Sequence, residues 1–95
     1  MVIGVLTLEF RLHGNDSLKG KRRVAQSLKR KLRNTFNVAV SEIARQESHE
    51  TLVLAAVTVS PDATRVQGLL QKALNMVVAM DAAELVYDDI EIIQA

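Results

Sequence analysis

The start of the chain alternates between apolar and polar positions. From Val2 to Leu12 every even-numbered position is apolar or glycine, and the odd-numbered positions become polar from Thr7 onward. Side chains of a β-strand point alternately to its two faces, so this period of two predicts a strand with one buried face.

The next segment predicts an amphipathic helix. A turn cluster occupies residues 13–16, and Asp16 or Ser17 can accept a hydrogen bond from a free N–H of a helix that begins near Leu18. Apolar side chains then recur at steps of three and four residues, the spacing of one helix face. These positions are Val24, Ala25, Leu28, Leu32 and Phe36.

Two further strands are predicted in the middle of the chain. Residues 38–44 predict an edge strand, because Ser41 and Glu42 interrupt its apolar alternation. Leu52 to Val59 is apolar on both faces, which predicts a strand at the centre of a sheet.

A second helix and a last strand complete the pattern. Ser60-Pro61-Asp62 predicts the helix start, with Ser60 as the cap and Pro61 at the first helical position. A strand is predicted from about Ala83 to Ile93. The apolar stripe of the helix is Val66, Leu70, Ala73, Leu74 and Val77.

The order βαββαβ predicts a single α+β domain over residues 1–95. Right-handed crossovers place the first and third strands at the centre of a four-stranded antiparallel sheet, with both helices on one face. This is the ferredoxin-like sandwich, and the two most apolar strands fall in its central positions.

Composition narrows the class of protein further. The chain has no cysteine, which excludes disulfides and thiolate metal sites. Its longest apolar run, Leu52 to Val57, is far shorter than the ~20 residues of a membrane-spanning helix. The first ten residues also lack a signal-peptide pattern. We therefore expect a cytoplasmic protein that does not associate with membranes.

Charge is segregated along the chain, although the net charge is only +1. Eight of the twelve Lys and Arg residues lie between Lys19 and Arg33, a stretch without acids, whereas Asp81 to Glu91 holds five acids and no base. Cations at a helix N-terminus oppose the helix dipole, at about 0.3–1 kcal/mol each. A bound anion would reverse that cost, so the pattern favours a phosphate-binding surface.

The first hypothesis is a non-enzymatic RNA- or ribosome-associated protein that binds the phosphate backbone of structured RNA through its first helix. A charged face that is only solvated is the alternative reading. In a third interpretation, this helix pairs with the acidic C-terminal strand of another copy. The candidate phosphate-binding residues are Lys19, Lys21, Arg22, Arg23, Lys29, Arg30 and Arg33.

The open face of the sheet supports a second hypothesis, a homo-oligomeric protein-interaction module without a nucleic-acid role. RNA-recognition domains stack bases on aromatic side chains of the first and third strands, but those positions here are aliphatic or polar. An apolar face usually marks an interface, so we expect a homodimer. The candidate interface residues are Ile3, Val5, Val53, Val57 and Tyr87, with Leu85 and Ile93 adding to the patch.

A catalytic or metal site near the two histidines is a third hypothesis. His13 and His49 lie close in sequence to Asp16, Glu47 and Glu50, and a histidine beside carboxylates can act as a base or a metal ligand. No nucleophile, Walker loop or GxxG clamp stands at a recognised spacing. We therefore expect no enzyme activity, no metal and no cofactor.

Two segments carry a family resemblance that extends along nearly the whole chain. Ser17 to Arg22, reading SLKGKR, and Phe36 to Glu42, reading FNVAVSE, resemble the YlxP-like family of small bacterial proteins, a domain of unknown function. The opening strand is similar too. Gly20 stands where members often carry an acid, so we expect a looser helix start than a capping box would give.

The resemblance implies a ferredoxin-like fold and no established activity. It also implies a gene setting beside translation-initiation and ribosome-maturation factors. Lys19, Lys21 and Arg22 are the positions in the shared segment that it marks as functional candidates.

Overall fold

A computed structural model describes all 95 residues, and its elements follow the predicted order. Neither of its two helices combines the length and the hydrophobicity that a membrane span requires. The elements are β1 (Val2–Arg11), α1 (Leu18–Thr35), β2 (Ala39–Ala44), β3 (Thr51–Ser60), α2 (Ala63–Met80) and β4 (Glu84–Gln94).

The four strands form one antiparallel sheet in the order β2-β3-β1-β4. The strands predicted to be central, β1 and β3, are central. α1 packs mainly against β2, whereas α2 packs against β1, β3 and β4. The ferredoxin-like α+β prediction is confirmed, and the arrangement places α1 along the β2 edge of the molecule.

The alternation in β1 separates the two faces of the sheet. Its even-numbered side chains join the core beneath the helices, and Leu6 and Leu8 have no exposed surface. Gly4 allows α2 to approach closely, because a Cβ atom there would overlap Val66 Cγ1 and lie 2.7 Å from Leu70 Cδ1.

Both helices bury four residues at the same spacing, with steps of four, three and four. One of the buried positions in α1 is a lysine, whereas all of those in α2 are apolar. The buried residues are Lys21, Ala25, Leu28 and Leu32 in α1 and Val66, Leu70, Ala73 and Val77 in α2.

The helix caps agree with the prediction for α1 but not for α2. Ser17 Oγ accepts a hydrogen bond of 3.0 Å from the Gly20 N–H, so α1 begins at a formed cap. The prediction of Ser60 as the α2 cap is wrong by two residues. Asp62 caps the helix because its carboxylate reaches the free N–H groups of Thr64 and Arg65, while the Ser60 hydroxyl accepts from the Asp62 N–H.

Irregular pairing alters which side chains face the helices. The register of β2 against β3 shifts between Glu42 and Ala44. Val40 and Glu42 therefore both face the helices, and the regular alternation of β2 ends only after Glu42. The register of β4 against β1 shifts between Glu9 and Phe10 of β1. Leu85 is therefore paired with Phe10, and its side chain packs against the core. Placing Leu85 on the open face was therefore wrong.

Candidate nucleic-acid interface

Most of the predicted basic residues of α1 lie on its solvent side. A helix rotates by about 100° per residue, so the stripe opposite the buried Leu28 and Leu32 is free to face water. The structure leaves exposed or half-buried every predicted cation except Lys21; these are Lys19, Arg22, Arg23, Lys29, Arg30 and Arg33.

Lys21 does not belong to this exposed set, because only 2% of its surface is accessible. Its Nζ donates to the carbonyl oxygens of Arg45 at 2.7 Å and Ser48 at 2.8 Å, with a longer contact of 3.4 Å to Gln46 O. It also lies 2.8 Å from Glu42 Oε2. All of these partners belong to the chain itself, so the ammonium group is not available to an external anion. It instead fixes the loop between β2 and β3.

Glu42 partners Lys21 from the helix-facing side of β2. Its Oε2 is buried and forms the ion pair, but no hydrogen bond of acceptable geometry reaches that oxygen. Lys21 and Glu42 therefore form a close ion pair, and the same ammonium group also donates to the backbone carbonyls of the loop. About a quarter of the Glu42 side chain is exposed.

Two neighbouring cavities lie along α1, and Gln26 and Lys29 line both of them. The first has a volume of about 270 Å³ and the second about 500 Å³. Glu42 is the only carboxylate that lines either of them. The remaining lining residues are Leu18, Lys21, Arg22, Ala25 and Gln46 in the first and Arg30, Arg33 and Asn34 in the second.

No carboxylate of the chain neutralises the exposed cations of α1. The only ion pairs are Lys21 with Glu42 and His13 with Glu84. Arg33 Nη2 donates a hydrogen bond of 2.9 Å to Val40 O on the edge strand, which holds its guanidinium beside the second cavity. The basic face of α1 therefore retains its positive field.

The acidic segment lies at the other edge of the molecule. Asp88, Asp89 and Glu91 are exposed on β4, whereas α1 lies along β2 at the opposite edge of the sheet. The two charged surfaces therefore point away from each other within one chain.

The predicted interface residues do share the open face of the sheet. Strand register pairs Ile3 with Val59 and Val5 with Val57. Among the large apolar residues of that face, Val59 at 57% and Tyr87 at 54% have the highest fractional exposure. Ile93 is also exposed, whereas Ile3, Val5 and Val57 are half-buried and Val53 is buried.

The two histidines form no catalytic cluster. His13 Nε2 lies 2.5 Å from Glu84 Oε1, and both side chains are exposed. The His49 side chain makes no hydrogen bond, although its carbonyl accepts one from Asn15 Nδ2 at 2.6 Å. No group of three potential metal ligands occurs in the structure.

The candidate set from the sequence left out three residues of this surface, namely Gln26, Glu42 and Gln46. Gln26 follows Arg22 by four residues and precedes Lys29 by three, so helical spacing alone places it on the same face. Glu42 lies two residues after Val40 in β2, so strand alternation places both side chains on the side of the sheet that faces the helices. Nothing in the local pattern marks Gln46.

Comparison with known proteins gives one sequence match and several distant structural ones. The profile of a family described as protein of unknown function (DUF503) matches residues 3–90. No curated protein sequence matches the chain. The profile match supports a small uncharacterised domain family and leaves the finer YlxP-like resemblance as a prediction.

The structural matches concern the fold only. SnoaB, a cofactor-independent oxygenase from Streptomyces nogalater, matches with a TM-score of 0.56 and 16% identity over 98% of this chain and 92% of that chain. The designed protein Foldit4 has a TM-score of 0.49 and 14% identity over 97% and 92% of the two chains. A REP-associated tyrosine transposase bound to a REP hairpin has a TM-score of 0.46 and 8% identity over 98% and 56%.

Proposed function

Since the chain belongs to the DUF503 family, which is described only as of unknown function, we propose a function from its own surface. The protein is a non-enzymatic RNA- or ribosome-associated protein that binds the phosphate backbone of structured RNA through α1. The observation that carries this proposal is the set of exposed α1 cations that have no carboxylate partner.

The dimensions of α1 suit a nucleic-acid backbone. Arg22 and Arg33 are eleven residues apart, which is about 16 Å along the helix axis at the rise of ~1.5 Å per residue. Between these two arginines, Lys29 lines both cavities and Arg30 lines the second. Successive phosphates of one strand are separated by about 3.4 Å along a duplex axis, so this row can contact several phosphates at once.

Backbone contact of this kind is strong but not specific for sequence. Each phosphate that is neutralised releases a condensed counterion, so affinity falls steeply as salt increases. The open sheet face offers Tyr87 as its only aromatic side chain, on an edge strand. The proposal therefore assigns binding to α1 rather than to the sheet.

The proposal is tested by the affinity of the protein for a fluorescent RNA hairpin, measured by anisotropy at 50 and 200 mM salt. Arg22→Glu and Arg33→Glu should each weaken binding by about tenfold at the lower salt, since each loses a charge-assisted contact. Lys31→Glu is the matched control. Lys31 is exposed on the same helix but lines neither cavity, so its substitution should have a smaller effect.

Two results would overturn the proposal. One is an affinity that does not change with salt, and the other is equal weakening in all three variants. The second result would show that net charge, and not the position of the cations on α1, controls binding.

A second candidate function is a homodimer formed through the open sheet face. The exposure of Val59, Tyr87 and Ile93 on that face favours it, because large apolar side chains are rarely left together in water. Sedimentation velocity up to high protein concentration should then show a dimer that Val57→Lys dissociates. A strict monomer across the whole range contradicts this candidate.

A further inference from the structure

The cavity of about 270 Å³ at the start of α1 differs from the rest of the basic surface, because a carboxylate lines it beside the cations. Glu42 lies in its lining, between the loop after β2 and the first turns of α1. Arg22 and Lys29 line the cavity too, and Leu18 and Ala25 contribute its apolar part. A carboxylate in the lining repels a phosphate, so this cavity is not simply one more phosphate site.

Glu42 retains unused acceptor capacity. A carboxylate has about four lone-pair sites, yet no protein group donates a hydrogen bond to either of its oxygens. Its only partner is Lys21, through the ion pair to the buried Oε2. Oε2 is buried against Lys21, so Oε1, which accepts no hydrogen bond from the protein, is the oxygen that remains for a donor from a ligand in the cavity.

We propose that this cavity binds one unpaired guanine of the RNA, with the Watson–Crick edge of the base donating to the Glu42 carboxylate. The inference rests on the proposed function, since the neighbouring cavity at Lys29, Arg30 and Arg33 holds the adjoining phosphates. The protein then reads a single base in a loop or bulge while α1 holds the backbone on either side.

The donor pattern selects guanine among the four RNA bases. Guanine presents two adjacent N–H donors, N1–H and the exocyclic amino group, and both can donate to Oε1, the one free oxygen of the Glu42 carboxylate. Adenine and cytosine each place an acceptor beside their one amino group, and uracil flanks its N3–H with two carbonyl oxygens. Each of these three would set an acceptor lone pair against Glu42.

Size and surroundings of the cavity agree with a base. Pockets for drug-sized ligands have volumes of ~300–1,000 Å³, so about 270 Å³ suits a group of one base rather than a whole nucleotide. The exposed Arg22 guanidinium can stack on the base plane. Leu18 adds an apolar side chain to the lining, and Gln26 and Gln46 add amide groups.

The proposal is tested with four hairpin RNAs that differ at one position of a U-rich loop. The position carries guanosine, inosine, adenosine or uridine, and inosine lacks only the amino group at C2. The guanosine hairpin should bind about tenfold more tightly than the adenosine or uridine hairpin, an effect of the size that one specific base contact gives. Inosine should fall between them.

Two variants locate the preference in the cavity. Glu42→Gln should abolish the preference for guanosine while the salt dependence of binding persists. Because this change also touches Lys21, Gln46→Trp provides a second route, filling the cavity with an indole and leaving the buried ion pair in place. It should give the same loss of preference.

The outcomes separate this inference from the proposed function. Equal affinity for all four hairpins, with the steep salt dependence retained, overturns the base site and leaves backbone binding intact. A guanosine preference that survives both variants also overturns it. Absence of binding to every hairpin overturns the base site together with the proposed function.

Discussion

The two helices pack on the sheet in the same way but have very different surfaces. Each has 18 residues, packs on the same face of the sheet and buries four positions at identical spacing. α2 carries two cations, Arg65 and Lys72, whereas α1 carries eight and no acid. Since α2 packs without such a charge, the fold does not require it, and the cations of α1 are available for another purpose.

The first buried position of each helix shows a second difference. In α2 it is Val66, which packs against β1 at Gly4. In α1 it is Lys21, whose ammonium group reaches the loop carbonyls of Arg45 and Ser48. One position therefore fills the core and the other fixes a loop, so the cations of α1 divide into one structural residue and a set of exposed ones.

The largest effect is expected where Lys21 is changed to Met. This substitution leaves Glu42 and the loop carbonyls without their cation, which should lower the free energy of unfolding by about 3 kcal/mol. That value is at the low end for buried ion pairs, because Glu42 keeps part of its surface in water. Urea denaturation measures the change.

A double variant distinguishes the ion pair from simple packing. Lys21→Met combined with Glu42→Leu removes both charges and should recover at least about 1 kcal/mol of the loss. If the single Lys21→Met variant is as stable as the parent, Lys21 has no structural role. The distinction between Lys21 and the exposed cations of α1 would then be wrong.

An intermediate effect is expected on the α2 side of the comparison, at Gly4→Ala. The new methyl group would overlap Val66 and press on Leu70, so we expect a loss of about 1–3 kcal/mol in denaturant titrations. Gly68→Ala is the matched control within α2. A Cβ at Gly68 meets no atom within 4 Å, so the same change there should stabilise the protein by about 0.5–1 kcal/mol. Equal destabilisation at both glycines would contradict the close packing at Gly4.

The smallest effect is expected at Lys19→Glu. An acid in the first turn favours the helix dipole that a lysine opposes, so thermal unfolding should show a gain of about 0.3–1 kcal/mol. The same change should weaken RNA binding. If it improves both stability and binding, the exposed cations of α1 are not retained for phosphate.

The sequence was sufficient for the fold because its strongest signals are periodic. The alternation in β1 and the three- and four-residue steps in both helices report burial directly. Positions that depend on which of several neighbouring residues takes a cap, or on an irregular strand register, were harder to predict. The α2 cap fell at Asp62 rather than Ser60, and an irregularity in β4 moved Leu85 to the helix side.

The site was predicted only in part. The exposed cations of α1 follow from helical spacing, but Lys21 was grouped with them by its charge. Its place in the series 21, 25, 28 and 32 was the available signal of burial. The partnership with Glu42 depends on a contact between α1 and β2 that no local pattern reveals.

The central claim is tested most directly by comparing the salt dependence of RNA binding between two variants of equal net charge. One is Arg22→Gln with Arg33→Gln on α1, and the other is Arg65→Gln with Lys72→Gln on α2. The account predicts that the α1 pair reduces the slope of log affinity against log salt by about 1–2, while the α2 pair leaves the slope close to that of the parent. Equal slopes in the two variants would contradict it.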